Sequence, residues 1–164
     1  MNYLFDANTF IEAKNRYYRM NVCPAYWDWL IHSHAEGKIF SIDMIKAELL
    51  QGNDDLTAWI KVQPQMFVSE SDDATQEAFV KVAEYVMTLN HMNKGTHEEF
   101  LSVADPWLVA KAIVTGATIV THEHFDQYIK KKILIPNIAK YFGVECINTF
   151  EVLDKLDAEF ILSP

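Results

Sequence analysis

Four acids in this chain stand beside segments able to bring them together. Asp6 ends the apolar run MNYLF, Glu48 lies in SIDMIKAELL, Asp105 precedes a proline in ADPWLVAKA, and Glu123 closes ATIVTHE. Taken singly, each has a plain structural explanation. Asp6 can cap a helix, Glu48 can solvate a helix margin, and an Asp just before Pro106 suits an N-cap followed by the first helical residue. Taken together they describe different chemistry. Carboxylates gathered within a few ångströms raise one another's pKa, and a divalent cation removes that conflict. Mg²⁺ and Mn²⁺ prefer oxygen ligands, keep several waters, and suit sites made of a few carboxylates plus substrate phosphates. Such an ion activates water and stabilises in-line attack on a phosphodiester. The expectation is a phosphodiester hydrolase in which Asp6, Glu48, Asp105 and Glu123 are both the metal-binding and the catalytic residues.

Whether the four acids meet depends on the elements that carry them. Residues 2–5 read as a short buried strand, with a helix from about Asn8; Asn8 or Thr9 can start that helix and leave Asp6 at the strand's end. Pro24 opens an aromatic helix, PAYWDWLIHSHAEG, closed by Gly37, and KIFS reads as the second strand. Ser41 is placed to cap the next helix, where Ile42, Ile45 and Leu49 recur at helical spacing and Glu48 falls on the flank of that stripe. DDLTAWIKV and SDDATQEAFVKVAEYVMTLN read as helices, the second amphipathic with acids at its start. Thr96 with Glu99 has the form of a capping box, Asp105 and Pro106 open the helix DPWLVAKAIVTG, and ATIVT is a β-branched strand. IPNIAKYFG then reads as a helix, VECIN as a last strand and FEVLDKLD as a closing helix. Strands separated by helices imply crossover connections, hence an α/β fold with a central, mainly parallel sheet and helices on both faces. Ligands of such sheets bind outside the carboxyl ends of the strands. Asp6 and Glu123 then share one edge, and a helix entering after a crossover brings Asp105 near it.

Composition narrows the function classes. The chain has 164 residues, 50% of them hydrophobic, and no Pro-, Gly- or Ser-rich stretch divides it, which fits one domain over residues 1–164. No apolar run reaches membrane-span length and the first residues lack a signal-peptide pattern, so the expectation is a soluble, cytoplasmic protein with no membrane partner. Cys23 and Cys146 stand apart from each other and from any metal-type spacing, and read as reduced thiols. A net charge of -9 runs against a general phosphate-binding surface. Lys14, Arg16 and Arg19 nevertheless form one cluster, and Lys130, Lys131 and Lys132 with Lys140 another, so half of the 14 basic residues lie in two segments. The first three residues and Lys130, Lys131 and Lys132 are the candidates to hold a substrate backbone. His122 and His124 lack a third ligand for zinc, FDANT lacks the second acid of a D-x-D phosphatase start, and no phosphate-cradling glycine loop occurs. Tyr26, Trp27 and Trp29 have too many apolar neighbours for a base-stacking platform and fit a core or dimer role better.

The motifs YLFDANTFI, SIDMIKAELL with Glu48, ADPWLVAKA and ATIVTHE occur in the order of the PIN-domain proteins, and the chain resembles that family, which includes the VapC-type toxin ribonucleases. WDWL and KKILIPNIAKYFGVECINTFEVL resemble one PIN-like subfamily of mostly uncharacterised bacterial and archaeal proteins, so the likeness covers nearly the whole chain. The resemblance implies a three-layer α/β/α fold. It implies an acidic triad of Asp6, Glu48 and Asp105, supported by Asn8 and Thr121. The family's late acid is commonly Asp, and here Thr121-His122-Glu123 supplies a Glu one methylene longer. The resemblance further implies an Mg²⁺- or Mn²⁺-dependent endoribonuclease acting on RNA, the toxin of a type II toxin–antitoxin pair, with a protein antitoxin as partner; the aromatic helix leaves a homodimer open. Two alternatives remain open at this stage: a catalytically weak PIN-like module that binds RNA or protein, and a nuclease acting on DNA.

Overall fold

Three short runs, YLF, IFSI and TIV, make the centre of one sheet because parallel strands covered on both faces need near-continuous apolar, β-branched or aromatic residues. The computed structural model describes residues 2–163. β1 (Tyr3–Phe5) runs into α1 (Ala7–Glu12), which continues through a π-helical turn at Ala13–Tyr17. α2 (Pro24–Ala35) leads to β2 (Ile39–Ile42), and α3 (Asp43–Leu49), α4 (Asp55–Lys61) and a 3-10 turn at Pro64–Met66 lead to β3 (Phe67–Val68). α5 (Asp73–Met87), α6 (Thr96–Leu101) and α7 (Asp105–Thr115) connect to β4 (Thr118–Val120); α8 (Ile135–Tyr141), β5 (Cys146–Ile147) and α9 (Thr149–Lys155) follow.

The strand order is β3-β2-β1-β4-β5 and every pairing is parallel. Leu4 is in register with Phe40 on one side and Ile119 on the other, and Phe5 pairs with Val120. From β1 the chain steps outward through β2 to β3, then crosses back to β4 and β5 on the opposite side. Right-handed crossovers therefore place α1 to α4 on one face and α5 to α8 on the other, a three-layer α/β/α arrangement. Ring contacts agree with this division. Phe10, Trp27 and Trp59 join α1, α2 and α4, while Phe79 stacks on Trp107 between α5 and α7. Leu4, Phe5, Ile39, Ile42, Ile119 and Val120 are fully buried between the layers. Tyr26 and Trp27 are buried as well, so the aromatic helix is part of the core. Gly116, at φ 71, turns the chain from α7 into β4 in a conformation that favours glycine. Among the described residues, no helix is long and apolar enough to cross a membrane.

Several local expectations are corrected. Ser41 does not cap α3; it lies in β2, and its hydroxyl donates to the Phe5 carbonyl at 2.6 Å, tying the two central strands together. Thr96 and Glu99 form no capping box, because α6 is preceded by Gly95 and the Thr96 hydroxyl donates back to the Asn93 carbonyl. Asp105 is the first residue of α7 and its side chain makes no capping bond; Ala104 holds the N-cap position. Asp6, by contrast, does cap α1, accepting the Ala7 N–H at 2.8 Å. β3 carries no signal of its own in QPQMFVSE and exists because the edge of β2 accepts it, pairing Ser41 with Phe67 and Ile42 with Val68.

Candidate functional site

Strands β1 and β4 are neighbours from which successive connections depart in opposite directions, so a crevice opens outside their carboxyl ends. Asp6 and Thr121 are the first residues past those ends. The Asp6 N–H donates to the Val120 carbonyl at 2.9 Å, continuing the β1–β4 ladder, and the Thr121 N–H donates to Ile147 of β5. The Thr121 hydroxyl has one proton, which it gives to Asp6 Oδ2 at 2.9 Å. Its oxygen then accepts from Asn8 Nδ2 at 3.2 Å and from the Glu123 N–H at 3.1 Å. Asn8 Oδ1 accepts the His122 N–H at 3.1 Å. Asn8 and Thr121 thus fix the Asp6 carboxylate and the turn that carries Glu123. Each Asp6 oxygen accepts one bond and keeps a lone pair for a further partner.

Asp6 is 6% exposed. Burial, together with the charges of Asp105 and Glu123, pushes its carboxyl up to about 7, against the lowering effect of the Thr121 and Ala7 bonds. Asp105 is pushed up to about 6, by burial first, then by Glu123 and Glu48, with Lys132 pulling the other way. Asp6, Glu48, Asp105 and Glu123 therefore form one electrostatically coupled group. Glu48 is exposed, at the mouth; it lines a cavity of about 210 Å³ with Asp105, Lys132 and Glu99. Glu99 escapes sequence reasoning because its spacing from Thr96 suggests a cap, whereas its place on this wall depends on how α6 meets α7.

Glu123, like Asp6, has both carboxylate oxygens engaged. Its Oε1 receives the Lys132 ammonium at 3.0 Å and its Oε2 the Ile135 N–H at 2.8 Å. It also borders a second cavity, of about 440 Å³, lined by Phe125, Lys140, Glu145 and Asn148 among others. The Cys146 thiol beside it is pushed up to about 12 by burial and by the Glu123 and Asp6 charges, so it stays protonated at neutral pH. Among the described residues, no three His, Cys, Asp or Glu side chains close tightly enough to hold a metal ion as they stand. The donor chemistry, all carboxylate oxygen, nevertheless suits Mg²⁺ or Mn²⁺.

The basic candidates divide. Lys132 enters the acid cleft. Lys14 instead bonds Asp54 at 2.6 Å and Arg16 pairs with Glu12 at 3.3 Å, while Arg19, Lys130 and Lys131 are exposed. His122 is turned away from the acids: its Nε2 meets the Thr149 hydroxyl at 3.1 Å and its ring packs near Tyr17 and Phe150.

The family profile described as Domain of unknown function (DUF4411) matches residues 3–160. No curated protein and no solved structure matches the chain.

Proposed function

We propose that the chain, which belongs to the DUF4411 family, is a PIN-like, Mg²⁺- or Mn²⁺-dependent endoribonuclease, the cytoplasmic toxin of a toxin–antitoxin pair. The observation that supports this reading best is the pair of carboxylates at the switch point, Asp6 and Asp105, both lifted to about 7 and 6 by burial and by neighbouring acids. A fold does not retain such repulsion for stability, and perturbed acids in a cleft mark a functional site. Asp6, Asp105 and Glu48 would hold the ion, and Glu123 would complete or orient its shell. When bound, the ion supplies Lewis acidity that activates water and takes up charge on the phosphodiester. Thr121 and Asn8 orient Asp6; Lys132, with Lys130 and Lys131 on the same loop, meets substrate phosphate. A protein antitoxin and a second copy of the chain are the partners in this reading.

The test is cleavage of single-stranded and structured RNA with Mn²⁺, beside single-stranded DNA, by wild type, Asp6→Asn and Asp105→Asn. Both variants keep the fold and lose activity by at least about 100-fold, the usual scale for removing a metal ligand or its support. A variant cutting as fast as the parent overturns the assignment. One observation favours a second reading, a binding module without turnover: both oxygens of Glu123 are already engaged, by Lys132 and by Ile135. Absence of any Asp6-dependent Mn²⁺ binding in calorimetry would select it.

A further inference from the structure

Lys132 sits where an ammonium is hard to explain as a surface ion pair. Its side chain is 53% exposed, whereas Glu123, its partner, is 13% exposed, and a half-exposed pair contributes little to stability. Yet Lys132 lines the same cavity as Asp105 and Glu48, with its ammonium on Glu123 Oε1 at 3.0 Å. Partial burial draws its pKa down, and Glu123, Asp105 and Asp6 together more than reverse that, leaving it raised. Glu123 itself is held from the other side by the Ile135 N–H, so the carboxylate is anchored independently of the lysine. Its stem is flexible, and the segment between β4 and α8 that carries it contains neither helix nor strand.

We propose that Lys132 is the resident cation of this site: in the metal-free protein its ammonium holds the place beside Glu123 that a divalent ion takes on loading, and the side chain then swings out toward solvent and substrate phosphate. The inference rests on the metal-dependent reading above. One positive charge against four acids compensates them only in part. It offsets part of their repulsion without metal and sets a threshold that the ion must exceed.

The experiment titrates Mn²⁺ calorimetrically into metal-free wild type, Lys132→Met, Lys132→Arg and Asp6→Asn, with melting curves taken with and without Mn²⁺. Lys132→Met binds Mn²⁺ roughly tenfold tighter or more, because the ion no longer displaces a charge, while its metal-free melting temperature falls. Lys132→Arg stays close to wild type. If wild type binds in an Asp6-dependent way and Lys132→Met binds equally or more weakly, the resident-cation inference falls and the nuclease reading stands. If neither binds, both fall. Should Lys132→Met fail to fold, NMR of the lysine Nζ groups in wild type decides: Mg²⁺ must move the Lys132 signal, and an unmoved signal in metal-saturated protein overturns the inference.

Discussion

At the scale of single residues, the site works against the fold. Asp6 ionises near pH 3.9 in an unfolded chain and at about 7 in the folded one, so the folded state holds its proton more tightly. Stability from this group is complete below the unfolded value and is lost as pH rises through the folded one. Asp105, at about 6, acts in the same sense. Asp54 is held low, near 2, by its bond from Lys14, and Asp72 is held low by Lys111; their contributions vanish only as pH falls below the unfolded value, outside this window. His122, whose pKa burial lowers, opposes the trend, which makes the difference between variants the useful quantity. Asp6→Asn removes the buried charge and keeps one acceptor oxygen for the Ala7 N–H, at the cost of the acceptor of the Thr121 hydroxyl. It should therefore raise metal-free stability at about pH 8 by on the order of 2 kcal/mol, roughly 4–8 °C, with the gain shrinking toward pH 4. Melting curves across that range check this, and a variant no more stable than the parent at pH 8 would refute it.

Elements explain which parts of this arrangement the sequence discloses. β1 and β4 are legible because buried parallel strands need apolar, β-branched runs, and their carboxyl ends locate Asp6 and Glu123 without any knowledge of contacts. Glu48 and Asp105 follow from the helices that return to that edge. What stays hidden depends on tertiary choices among polar partners. Ser41 and Thr96 have hydroxyls suited to caps, but a strand carbonyl at Phe5 and a turn carbonyl at Asn93 compete for them and win. β3 has two residues and no pattern of its own. The Lys132–Glu123 pair lies in a loop with no periodicity to read. Lys14 is the instructive case: its clustering with Arg16 and Arg19 suggests phosphate binding, yet it braces the α1 segment against Asp54, whose Oδ1 caps α4 through the Thr57 N–H at 3.1 Å. Asp54→Ala should cost about 1 kcal/mol, the ordinary worth of an N-cap, while Lys14→Ala should cost less and leave the KM for RNA unchanged. Chemical denaturation and steady-state kinetics measure the two effects, and a raised KM for Lys14→Ala would return that residue to the substrate path.

For the whole molecule, the question is how a chain with net charge -9 approaches RNA. Its cations are largely engaged internally: Lys14 with Asp54, Arg16 with Glu12, Lys111 with Asp72, Lys132 with Glu123, and Lys140 over the Phe125 ring at 4.2 Å. Among the described residues, Arg19, Lys61, Lys81, Lys94, Lys130 and Lys131 enter no such pair, and of these Lys130 and Lys131 adjoin Lys132, which lines the acid cleft. Screening over about 8 Å at physiological salt lets a local pair of lysines act despite the distant acids. Substrate capture then displaces few counterions. With two or three phosphates neutralised, log affinity should fall against log salt with a slope of roughly -1.4 to -2.1, shallow for a nucleic-acid-binding protein. Replacing Lys130 and Lys131 by Ala should remove most of that slope and raise KM while leaving kcat near the parent's, since neither side chain bonds an acid of the site. Cleavage assays at several salt concentrations separate the outcomes: an unchanged slope in the double variant places the RNA on another face, and a fall in kcat alone assigns these lysines to the chemistry.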